Sequence, residues 1–309
     1  MLDTLKKSFG DLYPCLLNEN CSEIIVNSNE EIYFCERGEV QRFEGETGDV
    51  FDMIKAMAEL ADIESIEETN DLQFNFGLFY VYIFTPRVSR KGYCFNLFRQ
   101  VYSSRDERID LDLLEKFKSI RKEGKDLLKK SLEKGNKSIL VGGGPSAGSY
   151  TLVESLMFEI PESQRIVTIE QIPTMPIDNP FSAQLICPNG KRSELSNLVH
   201  SASMIRADYI IISELFGKEA FSYTELLRDG HNGISHVKGS NIYDVLKRLE
   251  DKILSHPEVS YRDAKYAICE AFDLIVYHEK LESGDRRITS IAELELVEGD
   301  IKLKFLYQD

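Results

Sequence analysis

The chain holds 309 residues, 42% of them hydrophobic and 29% charged, with a formal net charge of −15. Its length allows one or two compact cores, and its acidity argues against direct nucleic-acid binding, because a negative surface repels phosphate backbones. No run nears the ~18 apolar residues of a membrane-spanning helix, and the opening MLDTLKKSFGDLYP lacks the apolar stretch of a secretory leader, so a chain neither secreted nor membrane-spanning is expected.

Residues 23–26 and 31–35 predict short strands, with a turn at Asn27-Ser28-Asn29 between them. Residues 50–62 place apolar side chains at helical spacing. FNFGLFYVYIF (74–84) and GYCFNLFRQV (92–101) predict two strands joined by a turn containing Pro86. Together these elements predict an α+β N-terminal domain over residues 1–102, and the polar SSRDERIDLD (103–112) reads as a linker. From residue 113 the pattern alternates. Helices are predicted over 113–134, 149–158, 193–205 and 218–228, and strands over 138–141, 165–170 and 209–213. DGHNGISHVKGSN (229–241) reads as a Gly/His-rich loop, followed by helices at 242–255 and 260–270 and strands at 273–280, 286–296 and 301–307. Such alternation implies βαβ units, hence an α/β domain over 113–309 with a parallel sheet covered by helices. The lysine-rich stretch 116–137 reads as the solvated face of a helix.

Six cysteines, at 15, 21, 35, 94, 187 and 269, form no CxxC pair, and the five histidines include no HExxH. Free thiols in a reducing compartment and no metal centre are the expectation.

ILVGGGPSAGSYTLVESL (139–156) passes from an apolar strand through a Gly-rich turn into a helix. That is the setting of a phosphate-binding P-loop, whose N–H groups and helix N-terminus attract an anion. The candidate cofactor-binding residues are Gly143, Gly144, Ser146, Ala147, Gly148, Ser149, Tyr150 and Thr151. Against the pattern G-x4-G-K-[ST], Ser149 stands at the lysine position and Tyr150 at the magnesium-binding hydroxyl position. Ser149 is too short and uncharged to replace an ammonium, Tyr150 is a poor magnesium ligand, and Thr151 offers a hydroxyl one residue late. Pro145 removes one N–H from the nest. No nearby lysine substitutes; Lys137 lies at the far end of the preceding strand, ~20 Å away at ~3.3 Å per residue. Taken alone, such a loop reads equally well as a plain tight turn. Its neighbours change that. IVTIEQIP (166–173) is a strand ending at Glu170, and in IRADYIIISELFGKEA (205–220) four apolar residues precede Ser213-Glu214, the form of a Walker B strand.

The set GGGPSAGS, TIEQIPTM, IIISELFG and GHNGISHVKGS resembles, in order and spacing, the Walker A, Asp, Walker B and His boxes of the traffic ATPases of type IV secretion, type II secretion and type IV pili. The resemblance extends over most of the chain and is nearest the type IV secretion branch. It implies a RecA-like P-loop NTPase domain at the C-terminal side of a smaller α+β domain, with ATP or ADP and magnesium as cofactors. It implies Glu214 as the water-orienting carboxylate and Glu170 as a second acid that either positions water or ties a loop. Arg99 matches an N-domain arginine that reaches toward the nucleotide, or else serves an interdomain salt bridge. His231 matches a phosphate-sensing position, or caps a helix end beside Gly230. Departures fall on chemistry: Gln171 and Thr174 replace acids, Phe216 replaces an arginine, and Lys238 falls near the usual second histidine, with His236 two residues before it. The expectation is a degenerate, catalytically impaired traffic ATPase. It would act in a ring, six-fold in the family, or beside an active paralogue, with inner-membrane secretion or pilus components, at the cytoplasmic side of the inner membrane. A divergent working ATPase and a scaffold that ignores nucleotide are the alternatives.

Overall fold

The computed structural model describes residues 2–36, 39–63, 66, 69–99, 109–171, 174–177, 179–187 and 192–309. The chain separates into two compact units, one over Met1–Tyr102 and one over Ser103–Cys187 and Lys191–Asp309. Most of the stretch read as a linker, 103–108, lies outside the described residues, and a helix already begins at Leu111.

The first unit opens with α1 (Leu2–Phe9) and α2 (Tyr13–Leu17). Strands β1 (Cys21–Ser28), β2 (Glu31–Glu36) and β3 (Glu39–Arg42) follow, then α3 (Val50–Leu60), β4 (Asp71–Phe76), β5 (Phe79–Phe84) and β6 (Cys94–Arg99). Among the described residues the strands form an antiparallel sheet in the order β3-β2-β1-β6-β5-β4. Phe9, Leu12, Ile24, Met53, Ile54 and Leu97 are part of its buried core. FNFGLFYVYIF, read as one strand, is a hairpin. Gly77 takes a left-handed φ of 56°, open to glycine at little cost, and turns β4 back along β5.

In the second unit the predicted helix 113–134 is two helices, α4 (Leu111–Lys116) and α5 (Lys122–Leu132), because Lys118 adopts a φ of 60° and breaks the ladder. Next come β7 (Ile139–Gly143), α6 (Ser149–Met157), β8 (Ile166–Glu170), β9 (Ala183–Ile186), α7 (Leu195–Ser203), β10 (Tyr209–Ile212) and α8 (Glu219–Arg228). The unit ends with β11 (Asn232–Lys238), α9 (Ile242–Ile253), α10 (Tyr261–Ala271), β12 (Leu274–Lys280), β13 (Arg286–Val297) and β14 (Asp300–Gln308). Two of these differ from expectation. The short β9 was not foreseen, and the Gly/His-rich stretch 229–241, read as a loop, contains a central strand.

The sheet order is β14-β13-β12-β7-β11-β10-β8-β9, parallel from β12 to β9 and antiparallel at β13 and β14. Helices α4, α5 and α6 cover one face through Leu114, Leu128 and Leu152, and α7 to α10 cover the other through Val199, Leu226, Leu249 and Ile268. A parallel strand covered on both faces must be apolar throughout, and Ile139, Leu140 and Val141 of β7 are completely buried. The C-terminal ends of β7, β8, β10 and β11 therefore meet at one edge, where α/β sheets take their ligands.

Asn241 caps α9 by accepting from the N–H groups of Tyr243 and Asp244. Asn241→Ala should lower unfolding free energy by about 1 kcal/mol, read as a shift of the urea midpoint at unchanged slope.

Candidate phosphate-binding site

The loop after β7 is shaped by its neighbours. Gly143 lies in register with Lys238 of β11 on one side and with His278 of β12 on the other. The Gly239 N–H donates to the Gly143 carbonyl at 3.1 Å, joining the end of β11 to the start of the loop. A Cβ on Gly143 would collide with Ser149 Oγ and lie 2.8 Å from the His278 carbonyl oxygen, so no side chain fits. Ser146 and Gly148 take left-handed φ values of 59° and 89°, the conformation that turns successive N–H groups to one side as an anion-binding concavity. The N-terminus of α6, which begins at Ser149, adds the positive end of the helix dipole. Arg286, the first residue of β13, donates from Nε to the Ser146 carbonyl at 2.9 Å. Ser149 Oγ is buried and has no hydrogen-bond partner among the described residues.

The two acids have different surroundings. Glu214 follows β10 and is 5% exposed; its Oε2 accepts from the Tyr150 hydroxyl and, at 2.8 Å, from Lys238 Nζ. The ammonium also lies 5.9 Å from the Tyr150 ring centroid and 5.8 Å from that of Phe216, so both aromatic departures pack around it as cation–π partners. Tyr150 thus acts as a donor to the Walker B carboxylate. Glu170 is completely buried. Its Oε2 accepts from the N–H groups of Thr174 at 2.6 Å and Met175 at 2.8 Å, and its Oε1 from the Thr168 hydroxyl at 2.9 Å. Of its two readings, this geometry is that of a tied loop. Burial raises its pKa, against the lowering effect of those hydrogen bonds. Glu154, on α6, is pushed up to about 7, first by burial and then by the charge of Glu170.

Four residues are placed differently from a nucleotide-contact reading or were given too little weight. His231 precedes β11 at the opposite edge of the sheet, seven residues and so ~23 Å along the strand from Lys238. Its Nδ1 lies 3.0 Å from the Ala207 carbonyl oxygen. This corrects its assignment to the phosphate site: a parallel strand carries its two ends to opposite edges. Arg99 lies in the first unit, donating to the carbonyls of Cys21 at 2.8 Å and Leu16 at 2.9 Å, with its guanidinium 4.4 Å from the Phe79 ring centroid. His236 is buried on β11 and packs on Tyr150 at 5.2 Å between centroids. Lys238 supplies a lysine beside the loop where none was expected. The loop reading of 229–241 hid the strand that delivers it.

Arg286 and His278 were not singled out by sequence. Both lie on strands that meet the loop through pairings distant in the chain, and only the aligned ends of β12 and β13 could have pointed to them. Among the described residues no group of three or more His, Cys, Asp or Glu could hold a metal ion, and no helix is long and apolar enough to cross a membrane.

Residues 100–276 match the family model described as Type II/IV secretion system protein. Type IV secretion system protein PtlH of Bordetella pertussis is 28% identical over 179 residues, 54% of this chain and 52% of the relative. VirB11 of Brucella suis is 33% identical over 161 residues, 48% of this chain and 45% of the relative. The chain spans about half the length of the curated relatives it matches. Among solved structures, the VirB11 ATPase of the Brucella suis type IV secretion system in complex with sulphate aligns over 94% of each chain at 18% identity, with a TM-score of 0.52. The pilus retraction motor PilT with bound ADP aligns over 97% of this chain and 81% of its own at 15% identity, with a TM-score of 0.64. At such identities the likeness is one of fold, a RecA-like P-loop NTPase domain with a smaller α+β domain.

Burial holds the imidazoles of His236 and His278 down to about 4. Each ring stays neutral in the folded chain and protonates on unfolding, so its contribution destabilises the fold as pH falls from ~6.5 to ~4, by up to about 3 kcal/mol per ring. Glu154 works in the opposite direction. Comparing wild type with His278→Gln cancels that contribution: the variant's unfolding free energy should fall less between pH 7 and pH 4.5, by about 2 kcal/mol, in urea titrations at each pH.

Proposed function

Because the chain belongs to the type II/IV secretion system protein family, we propose that it is a traffic-ATPase-like subunit of a bacterial secretion, conjugation or type IV pilus machine whose own hydrolysis is impaired. It works as a structural or regulatory component of a ring, or beside an active paralogue, at the cytoplasmic side of the inner membrane. The carrying observation is the occupied carboxylate. A Walker B glutamate activates water only when an oxygen faces the nucleotide, and here Glu214 Oε2 accepts from both the Tyr150 hydroxyl and Lys238. Those bonds commit this oxygen to two protein donors in place of water. Ser149 brings no charge to the transferring phosphoryl group, and losing one preorganised contact of that kind costs roughly 100–1,000-fold in rate. The tied Glu170 supports the same reading, since its oxygens are committed to Thr168, Thr174 and Met175. The PilT structure carries ADP, and the left-handed torsions at Ser146 and Gly148 give the loop here the form of an anion nest.

A second reading, a working ATPase of altered design, draws on Lys238 beside the loop.

Phosphate release from ATP with magnesium separates the two. The proposal expects wild-type release within about 2-fold of Glu214→Gln, well below ordinary enzyme turnover of about 1–1,000 s⁻¹. It also expects Ser149→Lys with Tyr150→Thr, which restores the loop's lysine and removes the phenol donor from the carboxylate, to raise turnover at least ~10-fold. Wild-type turnover in the ordinary range, abolished by Glu214→Gln, would overturn it.

A further inference from the structure

A P-loop lysine ordinarily rises from the first turn of the helix and reaches back over the phosphates. Here that position is a serine, but the sheet brings another lysine to the strand end beside the loop. Lys238 ends β11 in register with Gly143, and neighbouring strands lie ~4.8 Å apart. Its four-carbon stem therefore rises alongside the loop, on the face of the sheet that α6 covers, as the packing of its strand neighbour His236 on Tyr150 shows. The ammonium is half-exposed and held by one ion pair, to Glu214.

One further side chain points to an anion at this helix end, and a second lines the loop. Ser149 Oγ packs against Gly143, buried and without a partner among the described residues. The His278 ring, 2% exposed, is aimed at the loop: its Cε1 lies 3.1 Å, and its Nδ1 3.7 Å, from where a Cβ on Gly148 would sit. The ring meets the Gly148 backbone, without a hydrogen bond of full geometry. Buried polar groups of this kind are costly unless they are satisfied, and an acceptor-rich ligand in the nest would satisfy the serine hydroxyl. Arg286 adds a second cation close by, already bonded to the Ser146 carbonyl.

We infer that Lys238, delivered across the sheet from β11, is the charge partner of the Gly143–Tyr150 loop, and that the site takes a polyphosphate group by way of this relocated lysine. The inference rests on the loop being an anion site at all. Glu214 and the bound phosphate compete for one ammonium. When Lys238 swings to the phosphate, the Tyr150 hydroxyl still holds Glu214, so this chain separates binding from hydrolysis: the ligand gains its cation while the carboxylate stays occupied.

Isothermal titration with sodium tripolyphosphate and with ADP, both without magnesium, tests this on the full chain. Lys238→Ala and Lys238→Gln should each weaken tripolyphosphate binding about 10–100-fold, the range of one charge-assisted contact, while Lys238→Arg stays within about 5-fold of wild type. Glu214→Gln should tighten binding several-fold by releasing the lysine, and should have no such effect in the Lys238→Ala background. A merely structural lysine would not produce that dependence of one substitution on the other. Wild-type chain that binds no tripolyphosphate at millimolar concentration, or Lys238 variants that bind it as well as wild type, would overturn the inference. The first result would leave impaired hydrolysis standing. Brisk ATP turnover alongside lost binding in Lys238→Ala would overturn impaired hydrolysis and leave the relocated lysine standing.

Discussion

The second unit depends on one strand, β7, held between β11 and β12 with apolar helices on both faces. Burial on both sides leaves β7 no freedom of register, because a slip by one residue would turn its buried side chains to the opposite face. Fixing that register also fixes what stands beside its last residue: Lys238 on one neighbour and His278 on the other. The charge environment of the loop is therefore set by the packing of the sheet, several strands' worth of hydrophobic burial away from any ligand.

The retained acids and the altered residues around them form two separate local solutions. At the end of β8, Glu170 is sealed from water and gathers N–H and hydroxyl donors from the segment that follows, so its charge supports a turn. Acids at 171 and 174 would crowd negative charge against it, and Gln171 and Thr174 avoid that repulsion. At the end of β10, Glu214 stands beside an ammonium and a phenol, with Phe216 lining the other side of the lysine. Of the three departures, Tyr150 and Phe216 both pack around the third, Lys238. Each is arbitrary by itself in the sequence, and together with Glu214 they make one packed, charge-balanced group.

How much of this was legible in the sequence follows from whether the signal is local. Helical spacing at 50–62, 242–255 and 260–270 and the apolar runs of β8 and β10 were readable because the pattern lies within the element. The boxes containing Glu170 and Glu214 were found the same way. The hairpin at Gly77 and the break at Lys118 were missed, since a single residue with left-handed torsions interrupts an otherwise continuous pattern. The stretch 229–241 reads as a loop because glycine and histidine dominate it, yet it pairs with β7 and β10, and Ile234 and Val237 are buried under the helices on either face. That misreading left Lys238 out of reach, while the resemblance of GHNG to a His box brought His231 to the wrong edge. The roles of Arg286 and His278 depend wholly on such distant pairings.

The bond from Arg286 to the Ser146 carbonyl has an entropic side. Backbone torsions cost about 1–2 kcal/mol per residue to fix, and a flexible glycine-rich loop would ordinarily lose that freedom when a ligand arrives. Here the left-handed torsions at Ser146 and Gly148 are held by a strand-borne arginine and by the joint between Gly143 and Gly239. The ordering is completed when the sheet folds. What a ligand meets is a loop whose backbone is already ordered, and that part of the entropy cost of association is not charged to binding.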